Sequence, residues 1–432
     1  MQKHHKNGPA VGYLIRGVWC LLLAFAGTHA AYAAFDYRDT LERTIAPLEI
    51  QEPISGRSFD VFVEDQYFYD TNVYRLASDR DVALVVGPGA SKQDHLNISS
   101  VGLDGRWSIG RQIIVLDLRG DENRYVRNRD LNNFSTNDKL VWGWTFGSAL
   151  SGQLGVNYSR SLAGFVNTNA YTRNIVDQRE YFGGARYQVG PRWALFGGIV
   201  DTRTTLSSSA SQANNNQQKS GAAGMEFATS AANIFGAEYR YSKTNYLQAS
   251  FLNNGGITPD YREDRVRAFW KYALSEKTLV GANFGYIKRD YPSRLVGAFA
   301  GNVWHVNGQW QPREKIQLIA LGWRELQAYF TAYSDYYVST GASFSPVWLA
   351  TEKINMSALV SSERQQYLGN TTVISQIGNR IDIVSAVQGN LAYKPLQSLT
   401  ANFTFRREKR RSSETSFTYV DTQVSAGVTF KF

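Results

Sequence analysis

Residues 377–393 read Ile-Gly-Asn-Arg-Ile-Asp-Ile-Val-Ser-Ala-Val-Gln-Gly-Asn-Leu-Ala-Tyr, and their alternation decides the fold. Ile377, Ile381, Ile383, Val387, Leu391 and Tyr393 share one parity, interrupted by Asn379, Ser385 and Gly389. The other parity holds Gly378, Arg380, Asp382, Val384, Ala386, Gln388, Asn390 and Ala392. Successive side chains of a strand point to opposite faces, so one face here suits hydrocarbon and the other suits water. Helical spacing gathers neither set. The period returns in Leu150, Leu154, Val156 and Tyr158 opposite Ser151, Gln153, Asn157 and Ser159. It returns again at the C-terminus, where Val424, Ala426, Val428, Phe430 and Phe432 stand opposite Gln423, Ser425, Gly427, Thr429 and Lys431.

Such runs recur from Phe59 to the last residue. At roughly 12 to 17 residues they exceed the five or six usual in soluble sheets, and a tilted membrane crossing needs only about 9 to 11. Tight turns are expected at Gly147-Ser148, Gly190-Pro191, Ser230-Ala231, Ser275-Glu276 and Pro395-Leu396, with others at Asp104-Gly105, Pro312-Arg313 and Pro346-Val347. Longer polar links fall between them, the longest over 70–92. Short turns at one rim and longer loops at the other are the habit of bacterial transmembrane barrels. The reading is all-β: an antiparallel up-and-down barrel of eighteen strands, with sixteen the nearest alternative count.

The N-terminus assigns the compartment. Lys3, His4, His5, Lys6 and Arg16 precede an apolar stretch from Gly17 to Gly27, and Ala31-Tyr32-Ala33 supplies the small residues of a cleavage site before Ala34. The organisation expected is a signal peptide over 1–33, a short periplasmic lead over 34–56 and a barrel over 57–432. Cys20 is the only cysteine and leaves with the signal, so disulfide and thiolate-metal chemistry are excluded. Composition agrees: aromatics are 13% of the chain, prolines only 10, and mean hydropathy is −0.33. A barrel can span a bilayer at such hydropathy because only alternate residues meet lipid. The terminal strand ending on Phe432 is the kind that barrel-assembly machinery engages, which makes the outer membrane of a Gram-negative cell the expected destination.

Several stretches resemble the exopolysaccharide-operon outer-membrane barrels of the EpsL type, part of a wider group of β-barrel porins associated with exosortase-type polysaccharide loci. They are Tyr69-Asp70-Thr71-Asn72-Val73-Tyr74-Arg75-Leu76, Gly110-Arg111-Gln112, Trp142-Gly143-Trp144, Pro346-Val347-Trp348 and Arg406-Arg407-Glu408-Lys409-Arg410-Arg411-Ser412-Ser413. The resemblance runs from about 56 to 432. It implies a role in making or exporting extracellular polysaccharide, with other exopolysaccharide-export proteins as partners. It brings no catalytic residues, and none are assigned.

Enzymatic constellations are scarce. Past the signal the only histidines are His95 and His305. His305 shares parity with Asn307 and Gln309, which turns it to the lumen, the wrong side for a lipid hydrolase. Gly87-Pro88-Gly89-Ala90-Ser91-Lys92 has the wrong spacing for a phosphate loop, and a flexible outer loop explains it. No cofactor and no metal site is expected.

The inward parity is more informative. It gathers Arg111, Arg186, Glu238 and Arg240; then Glu263, Arg265, Arg267 and Lys271; then His305, Arg380, Asp382, Asn390 and Arg406. An arginine facing mid-bilayer costs roughly 2 to 4 kcal/mol, so these belong in a polar interior. Two explanations stand side by side. The charges pair across strands, or they line a path along which guanidinium forks bind acidic sugars. Eight tryptophans, Trp142, Trp144, Trp193, Trp270, Trp304, Trp310, Trp323 and Trp348, read as interfacial girdles. Inward aromatics such as Phe182 and Phe269 are too few for a sugar slide. The basic run 406–411 suits lipopolysaccharide phosphates or an anionic polysaccharide better than nucleic acid. The expected partners are thus outer-membrane lipid, lipopolysaccharide and polysaccharide. The main expectation is a conduit or scaffold for exopolysaccharide; a general or sugar-selective diffusion porin is the alternative, and a hydrolase the third.

Overall fold

Strands of 13 to 16 residues follow one another, and among the described residues one short α-helix and three 3-10 helical turns lie between them. The computed structural model describes residues 57–166, 171–230, 233–248, 260–292, 298–328, 336–368 and 380–432. The expected signal and lead, Cys20, and Ile377 to Asn379 lie outside these residues. The strands are β1 (Arg57–Asp70), β2 (Asp94–Ile109), β3 (Gln112–Tyr125), β4 (Asn133–Phe146), β5 (Leu150–Leu162) and β6 (Ile175–Val189). Then come β7 (Trp193–Leu206), β8 (Asn216–Ser230), β9 (Asn233–Tyr246), β10 (Tyr261–Ser275), β11 (Thr278–Asp290) and β12 (Phe299–Arg313). The last are β13 (Ile316–Ala328), β14 (Tyr336–Leu349), β15 (Ile354–Leu368), β16 (Ile381–Leu396), β17 (Leu399–Ser412) and β18 (Tyr419–Lys431). The helix, α1 (Asp79–Val85), interrupts the first long link.

Each strand pairs antiparallel with its neighbours in sequence, and β1 pairs with β18 from Phe62↔Lys431 to Asp70↔Gln423. The sheet is therefore a closed eighteen-stranded barrel, as the alternation predicts, and closure leaves no edge strand to satisfy. Among the described residues no helix is long and apolar enough to cross a membrane. Because every backbone group is tied to a neighbour around the ring, the purified protein should migrate faster in a cold detergent gel than after boiling. Identical mobility in both lanes would contradict a closed barrel.

One rim carries the short turns, where Gly110, Gly147 and Gly190 take positive φ of 61°, 61° and 69° that suit glycine. Three expected turns sit elsewhere. β2 runs straight through Asp104-Gly105, because the Trp107 ring lies against Gly105 and covers the bare backbone; the chain reverses at Gly110-Arg111. β14 runs through Pro346-Val347. Proline lacks an N–H, and it breaks the β15 ladder between Phe344 and Val347 without reversing the chain. Pro312 likewise marks a bulge in β12 between Trp310 and Arg313.

The two parities separate as expected. On β16, Ile383, Val387, Leu391 and Tyr393 are exposed while Asp382, Ala386 and Gln388 are buried. The inner wall also has an apolar patch, where Phe182, Phe196 and Val200 pack with Val141 and Phe269. Each ring lies over a glycine of the adjacent strand: Phe182 over Gly155, Phe196 over Gly224, Phe269 over Gly236. A methyl group at Gly236 would stand 2.2 Å from the Phe269 ring and 2.7 Å from the Met225 carbonyl oxygen. Gly236→Ala should therefore cost about 1 to 3 kcal/mol in denaturant unfolding followed by tryptophan fluorescence. Gly308→Ala, where nothing lies within 4 Å, should cost little by comparison.

One sector departs from a simple ring. The β12–β13 ladder stops at Trp304↔Arg324, although β12 begins at Phe299 and β13 continues to Ala328. Beyond it, inward-parity Ile287 and Val303 pack against outward-parity Leu326, Tyr336 and Val338. The outer ends of β13 and β14 are drawn to the lumen side of β11 and β12, which narrows the interior there.

Candidate functional site: the polar interior and its capped mouth

Of the sequence-predicted inward residues, Arg380 precedes β16 at the mouth, Arg111 leaves the wall, and the others fall on the inward parity of their strands. Arg111 belongs to the exposed turn after β2 and donates to the Gly147 carbonyl of the next turn at 2.5 Å. Its parity could not be carried past the strand end, since β2 runs further than expected. Trp323 is a second correction. It stands opposite inward His305 and donates to Ser339 Oγ at 2.9 Å, so it belongs to no girdle.

Charge on the inner wall of β9, β10 and β11 is dense. Glu238 is held by Arg240 at 3.1 Å and Arg267 at 3.0 Å. Glu263 is held by Arg265 at 3.4 Å and Arg289 at 2.6 Å. Lys271 shares the face. These three strands thus present five inward cations against two carboxylates. Arg240 and Arg265 stand directly opposite one another in the register. Like charges at that separation repel, so an anion passing close to them relieves a cost already present in the wall. Arg267 also lies 5.8 Å from the Phe269 ring centre, which joins the basic stretch to the apolar patch.

The rest of the wall carries no such surplus of cations: on β1 to β3, Asp60, Glu64, Asp104, Asp117 and Asp121 share the inward parity with Arg106 and Arg119, and Glu180 and Glu363 are held by neutral side chains. Arg186 pairs with Glu226. His305 meets Glu325 at 2.8 Å and Asn283 at 3.4 Å. Arg406 reaches Glu408 at 2.5 Å and Gln388 at 3.3 Å, and Asn390 donates to Ser357 at 3.1 Å. Nine strands away from β10, across the lumen, β1 turns Glu64 inward to Arg119 and Thr429. Acidic charge thus gathers on β1 to β3, and inward cations outnumber carboxylates on the opposite wall, β9 to β11.

The longer-loop mouth is closed in part by folded chain. The glycine-rich stretch 87–92, expected as a flexible loop, belongs to a packed cap. Val73, Leu76 and Val82 are at most 4% exposed and pack with Leu96, Ile98, Tyr125, Leu131 and Phe165. Ser78 caps α1 reciprocally with Asp81, which fixes the turn of helix. Fully buried Asp94 accepts backbone N–H bonds from His95, Arg127 and Asn128, while Asn128 accepts from Ser91 N–H. Burial, with Asp94 and Asp130 adding, pushes the Tyr74 phenol up to about 12, so it remains a donor to Asn128.

Arginines bolt this cap to the far strands. Arg75 bridges Asp70 at 3.2 Å and Asp421 at 3.1 Å, and its φ of 59° is the only positive value outside glycine among the described residues. Asn72 bonds Leu76 twice and the Val420 carbonyl once. Arg410, with no exposed surface, binds Asp382 and Tyr367 and donates to the Val166 carbonyl at 2.6 Å. Arg380 stacks between Tyr367 and Phe417 at 3.7 and 3.8 Å and meets Asp382 at 3.1 Å. The basic run 406–411 is consequently split by parity. Arg406 and Arg410 face in; Arg407, Lys409 and Arg411 face out. From the sequence Arg75 enters only through the resemblance and Arg410 only as part of the basic run, where a buried pair with Asp382 now holds it; Asp94 and Asp421 are not singled out, though parity with Arg406 and Gln423 places Arg410 and Asp421 inward. Among the described residues no group of three or more His, Cys, Asp or Glu side chains could hold a metal.

No protein-family model and no curated protein matches the sequence. Solved structures that resemble it in fold include OpdL of Pseudomonas aeruginosa, 12% identical at a TM-score of 0.45, over 88% of this chain and 99% of that one. OccK2 (OpdF) of the same organism, in complex with glucuronate, is 10% identical at 0.47, over 87% and 98%. OccAB2 of Acinetobacter baumannii is 9% identical at 0.48, over 87% and 98%.

Proposed function

We propose that this chain is a diffusion channel in the outer membrane of a Gram-negative cell, selective for small hydrophilic anions. The observation that carries the reading is the inner wall of β9 to β11, where five cations meet two carboxylates. An ion inside a narrow polar passage feels such a surplus strongly, because protein on every side replaces part of its water. The packed cap and the inward shift of β13 and β14 favour solutes of monomer size over a polymer. Phe269 beside Arg267 suits an acid with an apolar or ring face.

The test is electrical. Purified protein in a planar bilayer under a potassium chloride gradient should give a reversal potential on the chloride side, and liposomes carrying it should admit sugar acids faster than neutral sugars of the same size. A cation-selective potential would discard the reading.

Exopolysaccharide export is the second reading, and one feature favours it. The two longest stretches of the resemblance, 69–76 and 406–413, meet at the mouth, where Tyr419 bonds Glu408 and Asp421 holds Arg75. On this reading the cap swings aside for the polymer. Deletion of the gene should then trap polysaccharide in the periplasm, whereas a diffusion channel leaves polymer output unchanged.

A further inference from the structure

The outward face of β6 to β10 carries cations in rows that the strand register sets against one another. Arg179 stands directly opposite Arg203. Lys219 stands opposite Lys243, and Lys243 opposite Arg262. All five are exposed and lie toward the longer-loop rim. Carboxylates do occur nearby, but each is engaged: Asp177 with Tyr158 and Arg160, Asp201 with Gln217 and Lys219, Asp264 with Tyr239, and Asp290, opposite Arg262 in the register, with Lys288. Lys219 reaches Asp201 only at 3.9 Å. Arg203, Lys243 and Arg262 have no ion-pair partner among the described residues. Cross-strand like charges cost stability, and among the described residues no ion pair at Arg203, Lys243 or Arg262 offsets it.

Below the cations come Tyr181, Tyr239 and Tyr241, whose exposed phenols mark the headgroup–hydrocarbon boundary. Below these the wall thins to glycine and alanine around one exposed side chain, Ile199. Gly183, Gly197, Gly221 and Ala223 floor a depression of about 640 Å³ bounded by Trp144 and Leu154. Arg179 and Gly183 are four residues apart on β6, roughly 13 Å along the strand. The order from the rim is thus cation, phenol, apolar depression.

We infer that this face binds one phosphate-bearing glycolipid of the outer leaflet, its phosphates on the Arg179–Arg203 and Lys219–Lys243–Arg262 rows and an acyl chain in the depression. The inference rests on the outer-membrane reading proposed above, with the longer loops on the outer side as in bacterial barrels. Guanidinium and ammonium groups too close together are the natural complement of a dianionic phosphate. The depression is open to the outside of the wall, a shallow apolar bed along which an acyl chain can lie. A two-fold dimer through this face fits worse, because a two-fold axis along the membrane normal sets the same rows against themselves at the same height, cation against cation.

The experiment is native mass spectrometry of the detergent-purified protein. The probe is a bis-phosphorylated, multiply acylated glucosamine disaccharide, compared with its dephosphorylated form. The parent should retain the phosphorylated lipid and release the other, and inorganic phosphate alone should not displace it. Lys219→Gln/Lys243→Gln/Arg262→Gln should lower retention tenfold or more. Gly221→Leu should do the same by filling the depression, and it should fold, since the nearest atom to a side chain there is a carbonyl 4.0 Å away. Heat-dependent gel mobility confirms the barrel in each variant. Equal retention by parent and variants overturns the inference, as does a dimer mass that Gly221→Leu abolishes. A protein that conducts ions yet keeps no lipid loses this inference alone; one that enters no membrane loses the channel reading first.

Discussion

Arg75→Ala should open the mouth while leaving the barrel closed. The guanidinium is about 6% exposed and stands between Asp70 and Asp421, so its loss leaves two buried carboxylates facing each other without a cation. Breaking a buried ion pair from one side costs roughly 3 to 5 kcal/mol. That cost falls on the segment rather than on the sheet, because the β1–β18 ladder is made by backbone groups that the substitution does not touch. A packed loop of this size has little stability to spare beyond a few kcal/mol. The cap should therefore leave its seat on β18, taking with it the Asn72 bond to the Val420 carbonyl. Trypsin should then cut at Arg80 and Lys92, and single-channel current should rise and become noisier. Arg75→Gly separates the two contributions. Glycine removes the strain of a φ at 59°, worth roughly 1 to 3 kcal/mol in a bulkier residue, yet supplies no charge. If the ion pair holds the cap, Arg75→Gly should be cut nearly as fast as Arg75→Ala. An uncut segment in both variants would mean that the apolar packing of Val73, Leu76 and Val82 holds the cap unaided.

The barrel was legible because each strand samples two solvents, and a period of two survives local irregularities. The mouth was not, because its apolar residues follow no period. Val73, Leu76 and Val82 sit at spacings that fit neither strand nor helix, and only the folded segment brings them onto Phe68, Leu96 and Ile98. Turn residues misled where they stood inside strands. Gly105 and Pro346 look like punctuation in one dimension, but a tryptophan ring covers the first and a broken ladder accommodates the second. Parity itself was sound, and it failed where it was extended past a strand end, at Arg111. It was also underused. Arg410 and Asp421 share the inward face with Arg406 and Gln423, and the four lie two or four residues apart within their strands. What no one-dimensional reading supplies is the count across the wall. Arg240, Arg265 and Arg289 are far apart in sequence and become one surface only through register.

That surface makes the larger functional prediction. Replacing Arg265 and Arg267 together by glutamine removes two of the five cations while leaving each carboxylate a partner: Glu238 keeps Arg240 and Glu263 keeps Arg289. The fold should be spared for that reason, and gel mobility should still depend on heat. A unit charge about 8 Å from a passing ion in water is worth about 0.5 kcal/mol, so two of them change its barrier by about 1 kcal/mol. Anion permeability should fall about fivefold and cation permeability rise by a similar factor. The reversal potential under a chloride gradient should then move toward zero or cross it. The effect should be clear at about 0.1 M salt, where screening reaches roughly 10 Å, and faint at about 1 M, where it reaches only about 3 Å. Lys288→Gln/Arg262→Gln makes the matched control, since both side chains lie on the outward face and remove the same charge from the molecule. A shift of equal size in that control would place the selectivity in the protein's overall charge rather than in its inner wall. An unchanged potential in both would end the case for an anion path along β9 to β11, because no other stretch of the interior described above carries such a surplus.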